Sequence, residues 1–307
     1  MTATSLPIID FGVCLNSDSN PEQRRAMASA IDKACSQHGT HSWPQFFQFP
    51  AEEKRKHQLE SLARGYWHKN SISQTEKIHA ESISFYPPIL CHDKESTSDT
   101  KAVSPNTGAL MAPDVLGDQN SWPGEEFRTL AEEYTVCVQQ LANHVLAAIS
   151  AGLGITDVSR AKLQDIAPHI TFNGYQALTQ VEQEQGGISV AEHADTRLVL
   201  DGEHVSLQIQ DRDGKWHGVP PIPGAFVINV GSTLNLLTNG RYIDVNYRVV
   251  HCSTKSRVSV AVFFDPPFDM SVDPLPEFVT VNEDSRGHAS KTYGKYYLEQ
   301  FKAYFGS

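Results

Sequence analysis

TNGRYIDVNYRVVHCSTKSRVSVAVFF, running from Thr238 to Phe264, opens on a turn and closes on a strand. Asn239-Gly240 is a turn signal. NYRVV and RVSVAVFF, which follow it, are short and rich in β-branched and aromatic residues, as strands are. In the second run Arg257 and Ser259 alternate with Val258, Val260 and Val262. Successive strand residues point to opposite faces, so the polar pair takes one face and the valines the other. A guanidinium fork beside a hydroxyl suits a small carboxylate, which it can grip with two parallel hydrogen bonds. Standing alone, the same pair would read as a sheet edge in solvent.

Outward from this stretch the pattern holds. ITFNGYQAL, SLQIQ and GAFVINV are further short runs of strand character, separated by turn signals such as RDGK and TNGR. Several short strands at this spacing predict an all-β sandwich or barrel from Ile166 onward, not alternating βαβ units. Before it, LPIIDFG (Leu6 to Gly12) reads as a buried strand. A helix follows, with Asn20 at its cap, Pro21 in its first turn and Gly39 at its end. PAEEKRKHQL (Pro50 to Leu59) is a polar helical stretch. Residues 91–121, rich in Ser, Thr, Asp, Pro and Gly, predict a long loop or lid. The longest helix starts after Trp122-Pro123, with Leu130, Tyr134, Val138, Leu141, Val145 and Ile149 as its core face and Gly152 and Gly154 at its end. The Gly-Leu-Gly there follows a helix, so it is no dinucleotide fingerprint. TYGKYYLEQFKAYF returns to helical spacing near the C-terminus. The expected organisation is a mostly helical support region (1–165), a β core (166–270) and a helical tail (271–307).

The chain has 307 residues, enough for a well-buried core. Its formal net charge of -11 argues against general nucleic-acid binding, which needs clustered Lys and Arg. Cys14, Cys35, Cys91, Cys137 and Cys252 are widely spaced and odd in number, as reduced thiols are. No signal peptide is expected from MTATSLPIIDFG. Nor does the sequence show an apolar run approaching the ~20 residues of a membrane span. A cytoplasmic protein with a small-molecule substrate, and no nucleic-acid or membrane partner, is the expectation.

EHADT places His193 and Asp195 two apart. On a strand both side chains share a face, where an imidazole and a carboxylate make two-thirds of the facial triad of non-haem Fe(II) oxygenases. By spacing alone the pair is a weak signal, since most such pairs are chance surface residues. The order LPIIDFG, PAEEKRK, HAD, DGKWHGVPPIPGAFVINVG, LTNGRY, RVV and RVSVAVFFDPP resembles the isopenicillin N synthase-like family of 2-oxoglutarate/Fe(II) oxygenases. The resemblance covers most of the chain and is strongest from Asn173 to Pro267. It implies a mainly β fold with flanking helices, built on a double-stranded β-helix (jelly-roll) core. It also implies Fe(II) held by a His, an Asp and a second His, the first two being His193 and Asp195. The cosubstrate 2-oxoglutarate would be anchored by Arg257 and Ser259, with Asn173 and Tyr175 of FNGY beside it.

Matched without a gap from VINVG through TNGRY to RVSVAVFF, the family's second metal His falls at Tyr247. His251 comes four residues later, about 13 Å along a strand at ~3.3 Å per residue, and could serve only through a bulge or a register slip. Tyrosine is a poor neutral ligand for Fe(II), so a reduced metal affinity is expected. A second departure is the short stretch HSWPQ between QHGT and FFQFPAEEK, where the family has a further strand and helix. His38 and His41 at its edges read as surface loop residues. Three functions stay open. The chain is a 2-oxoglutarate-dependent oxidoreductase acting on a small metabolite of secondary metabolism. Alternatively, Tyr247, His193 and Asp195 run acid/base chemistry such as cyclisation, dehydration or isomerisation. The third is a non-catalytic partner subunit.

Overall fold

A computed structural model describes residues 42–59, 64–68, 80–86, 120–164, 166–184, 188–194, 206–220, 222, 225–279 and 291–305. The expected strand at Leu6 to Gly12, the helix from Asn20 to Gly39, His38 and His41, most of the 91–121 segment, and Asp195 lie outside these residues. The elements in chain order are α1 (Ser42–Gln48), α2 (Ala51–Arg55), β1 (Gly65–His68), β2 (Ala80–Phe85), α3 (Glu125–Leu153), α4 (Asp157–Gln164), β3 (Ala167–Tyr175), α5 (Gln180–Glu184), β4 (Ile188–Ala194), β5 (Leu207–Gln210), β6 (Trp216–Gly218), α6 (Ser232–Leu237), β7 (Asn246–Val250), β8 (Arg257–Asp265) and α7 (Tyr293–Phe305).

Among the described residues the strands form two four-stranded antiparallel sheets, in orders β1-β2-β3-β8 and β4-β7-β5-β6. Alternation along the first sheet creates two unlike surfaces. Ile83, Phe85, Ile170, Phe172, Val262 and Phe264 face outward and pack with Phe127, Ala131, Tyr134, Val138 and Ala142 of α3 and with Trp43 and Phe46 of α1. Burying each such side chain stabilises the fold by about 1.5–3 kcal/mol. On the inner surface Ala80 and Tyr175 meet Leu207 and Val249 of the second sheet, which closes the sandwich. The core therefore has two layers, one between α3 and the first sheet and one between the sheets.

Helix α3 follows the expected periodicity, with Tyr134, Val138 and Val145 buried. Gly154 ends it at φ 66°, the left-handed conformation that glycine adopts without strain. By length and composition alone, α3 is long and apolar enough to cross a bilayer, as the core helix of a soluble protein can also be. The sequence reading expects no such run. The reason is local: α3 carries its charges in the first third, so its last turns form the apolar window.

Three segments depart from the sequence reading. The polar stretch from Pro50 stays helical only to Arg55, after which Gln58 bridges to Gly65. GAFVINV forms no ladder among the described residues. Its alternation has another cause: Phe226 and Ile228 pack against the helix-side cluster and Val227 against the inter-sheet cluster. The chain there runs extended between two apolar layers. Finally, β1 and β2 come from the region expected to be helical, and they extend the first sheet beyond β3.

A buried ionic knot fixes this extension. Lys54 and Glu81, both buried, form an ion pair. Tyr66 donates its hydroxyl to Glu81 at 3.1 Å, and Gln176 Nε2 donates to it at 2.7 Å. Burial and the neighbouring Glu81 carboxylate push the Tyr66 phenol well above its ordinary range. Glu81 stands opposite Gly174 in the β2–β3 register. A Cβ on Gly174 would lie 2.4 Å from the Phe47 ring, so the absence of a side chain lets α1 dock on β3. Gly174→Ala should therefore cost about 1–3 kcal/mol, the range for overpacking. Urea unfolding checks this, and Phe47→Leu in the same chain should recover much of the loss.

Candidate active site

β3 and β8 pair without interruption from Ala167↔Asp265 to Tyr175↔Arg257, with Asn173 opposite Ser259. That register sets Asn173, Tyr175, Arg257 and Ser259 together on the inner face of the first sheet, because directly opposed residues point the same way. Tyr175, Arg257 and Ser259 are buried, and Asn173 is half-buried. The Arg257 guanidinium carbon lies 4.8 Å from the centre of the Tyr175 ring, within cation–π range. Ser82 on β2 donates its hydroxyl to Asn173 Oδ1 at 2.7 Å, and Ser84 is 2.9 Å from Thr171 on the same face. The Ser82 hydroxyl holds the Asn173 amide. Arg257 with Ser259 thus gives a buried cation and a hydroxyl facing the interior, the chemistry of a carboxylate receptor.

The second sheet supplies the facing wall. His193 on β4 is in register with Tyr247 on β7, Tyr247 with Ile209 on β5, and Ile209 with His217 on β6. Tyr247 and Ile209 pack against the inter-sheet cluster that contains Tyr175 and Leu207. The β4–β7 register shifts between Ile188 and Val190 and again between Val190 and His193. Each shift adds a residue to β4, while β7 stays in unbroken register with β5 from Val249↔Leu207 to Tyr247↔Ile209. The bulges therefore belong to β4, and NYRVV has none that would carry His251 into the place of Tyr247. His251 is fully buried beside Tyr175, their ring centres 5.7 Å apart. At the far end of the row, His217 Nε2 lies 2.5 Å from Asp211 Oδ2. That bond, with the backbone N–H groups of Lys215 and Asp213, holds the Asp211 carboxyl below its usual range.

The sequence reading names His193, Tyr247, Asn173, Tyr175, Arg257 and Ser259, and the structure brings the last four onto one face and sets Tyr247 opposite His193 across β4 and β7. It names Asp195, which lies outside the described residues. It misses Ser82 and the pocket position of His251. The signal for Ser82 was present in AESISF, where Ser82 and Ser84 alternate with Ile83 and Phe85.

Comparison with known proteins agrees with this architecture. Residues 169–266 match the 2OG-Fe(II) oxygenase superfamily. A homoarginine-6-hydroxylase of Glycine max is 26% identical over 330 aligned positions, covering 95% of each chain. The flavanone 3-dioxygenase 2 of Oryza sativa subsp. japonica is 27% identical, covering 95% of this chain and 82% of its own. Among solved structures, a full-length Neurospora crassa protein in complex with alpha-KG superposes with TM-score 0.72 at 20% identity, over 97% of this chain and 96% of that one. JOX2 in complex with 2OG, Fe and JA gives 0.70 at 21% identity, over 99% and 90%. These likenesses establish the jelly-roll fold. The match spans β3 to β8, and relatives are alike in sequence over most of the chain, so residues 169–266 carry a 2OG-Fe(II) oxygenase superfamily domain.

Proposed function

We propose that the chain is a 2-oxoglutarate- and Fe(II)-dependent oxidoreductase of secondary metabolism, acting on a small, mostly apolar metabolite through a weakened metal centre. The observation that carries this reading is the buried Arg257–Ser259 pair facing the interior beside Tyr175. A guanidinium fork and a hydroxyl on one buried strand face suit a carboxylate, which the fork can grip with two parallel hydrogen bonds, and this fits the distal carboxylate of 2-oxoglutarate. Relatives whose names specify homoarginine, flavanone and gibberellin as substrates support a small metabolite as the class.

Iron fits less well. His193 and Asp195 would hold it, and when bound with 2-oxoglutarate it supplies the oxidising chemistry. At the third position stands the phenol of Tyr247, whose unperturbed pKa near ~10 opposes ligation as phenolate. In this reading Arg257 and Ser259 orient the cosubstrate, and Tyr247, Leu207 and Ile209, packed in the inter-sheet cluster, line the wall and keep water out. The register of Tyr247 with His193 also supports a second reading, in which the phenol moves a proton in a non-oxidative reaction. Metal content and 2-oxoglutarate turnover measured on one purified sample separate the two.

Arg257→Lys should weaken 2-oxoglutarate binding by at least tenfold, since an ammonium cannot reproduce the bidentate fork (a hydrogen bond to a charged group is worth about 1.5–3 kcal/mol). Calorimetry checks it, and equal affinities would refute the pocket assignment. Tyr247→His should rebuild a His–Asp–His set and raise Fe(II) affinity, whereas His251→Ala should change it little when titrated without 2-oxoglutarate. Loss of iron binding in His251→Ala alone would instead make His251 the ligand.

A further inference from the structure

Behind the first sheet, on the face away from Arg257 and Ser259, a cavity of about 90 Å³ lies between α3, α4, α6 and the end of β8. Val145 and Ile149 of α3, Leu163 of α4, Leu234 of α6 and Phe264 of β8 line it. Phe264 belongs to the helix-side cluster, whereas Ile149, Leu163 and Leu234 pack in a separate cluster around Leu275, so the cavity is a seam between two apolar cores. Two polar side chains interrupt this wall: Asn229, at the end of the extended GAFVINV segment, and Thr233 of α6. Thr233 is buried and Asn229 half-buried, and neither Asn229 Nδ2 nor Thr233 Oγ1 has a hydrogen-bond partner among the described residues. Lys162 of α4, an exposed residue, stands where the wall reaches the surface, and it is the one charged side chain among the described lining residues.

We propose that this cavity is a second ligand site, separate from the catalytic pocket, for a small neutral molecule with an apolar body and one hydrogen-bond-accepting oxygen such as a carbonyl. Volume and polarity together decide the class. An ordered water takes about 10–15 Å³ of such space and asks for two to four polar partners. The cavity has room for several waters, yet its two unmet side-chain groups serve one at most. An occupant of the rest is apolar. Apolar cavities of about 150 Å³ take up benzene, so this one suits a ring or chain of about five carbons. The groups it meets set its polar end. The Asn229 amide and the Thr233 hydroxyl both donate, and a buried donor left unmet is destabilising, so an acceptor oxygen is the matching group. A carboxylate would also accept, but it would enter an apolar wall whose one cation stays exposed at the rim, and an ion taken out of water needs a buried partner. A neutral acceptor escapes that cost. Because the first sheet stands between this cavity and Arg257, an occupant does not compete with an acid held on the other face.

The test uses the full chain and two probes of one ring size, cyclopentanone and cyclopentane, followed through the methyl signals of Val145, Ile149, Leu163 and Leu234 by NMR. Both are titrated into wild type and into Thr233→Val and Asn229→Leu, each of which removes a donor at nearly constant volume. They are also titrated into Ala142→Leu and Val145→Phe, which fill the cavity from α3. Two variants of each kind are used so that one failing to fold leaves the other, and dispersed methyl signals identify folded protein. The expected result is a saturable shift of these methyls by cyclopentanone in wild type. Its affinity should fall about fivefold in each donor variant, the size of one neutral hydrogen bond, while cyclopentane binds there no more weakly than to wild type. The filling variants should lose the shifts with both probes. The proposal is overturned by a wild type whose lining methyls show no saturable shift with cyclopentanone, or by shifts that persist in both filling variants. Donor variants that keep the wild-type ratio of the two affinities overturn it as well, since the cavity would then be an apolar void with no polar end. The affinity for 2-oxoglutarate in the donor variants should equal that of wild type, and a parallel loss of it would mean that the two sites are not separate.

Discussion

The nine-pair ladder between β3 and β8 fixes the position of everything else in the molecule. Its outward residues, Ile170, Phe172, Val260, Val262 and Phe264, meet α1 and α3, and its inward residues include Asn173, Tyr175, Arg257 and Ser259. A slip of one residue would exchange the faces of the slipped strand. If β8 slipped, Arg257 would enter an aromatic core with no water and no carboxylate among its described members, at a cost of several kcal/mol. Core packing and pocket assembly therefore select the same register. Neither can be relaxed without losing the other.

The second sheet divides its labour differently. β7 keeps one register with β5, while β4 takes up two extra residues against β7. Bulges re-aim side chains and raise local twist, and they are common next to active sites. Here they lie on the strand that carries His193, just before it in sequence, so the irregular strand brings the His-x-Asp segment and the regular one brings Tyr247. Tyr247 is also part of the packed wall, in contact with the cluster of Tyr175, Leu207 and Val249. Its aromatic ring is held by the interior whether or not its hydroxyl meets a ligand.

Much of this was legible in the sequence, and the parts that were not share a physical cause. RVSVAVFF announces its two faces because every outward residue is apolar and the inward pair is polar. ITFNGY does the same. The strand AESISF was missed because its inward residues are a small alanine and two hydroxyls and its outward run begins at Glu81, a charge that the buried Lys54, with Tyr66 and Gln176, makes acceptable. GAFVINV showed a genuine alternation, yet alternation reports burial on two sides and not hydrogen bonding. The segment passes between two apolar layers and pairs with no described strand. His251 drew attention as a possible metal ligand, and strand geometry argued it away from that role. Its neighbour Tyr175 is 76 residues distant in sequence, so only the fold could show that the two rings meet.

Under the proposed function, a site with the Tyr247 phenol at its third ligand position draws more of its metal affinity from the cosubstrate. If iron is held by His193 and Asp195 alone, the 2-oxo acid that chelates it becomes a larger share of its coordination. Binding free energies are then linked: whatever strengthens the hold of the chain on the cosubstrate strengthens its hold on the metal by the same factor. Arg257 and Ser259, the proposed donors to the far end of that acid, sit on the regular strand β8 and not on the bulged β4. In that reading a firm hold on the acid offsets a weak ligand set at the metal only when both ligands are present, which makes the cosubstrate a condition of metal binding and not merely its companion.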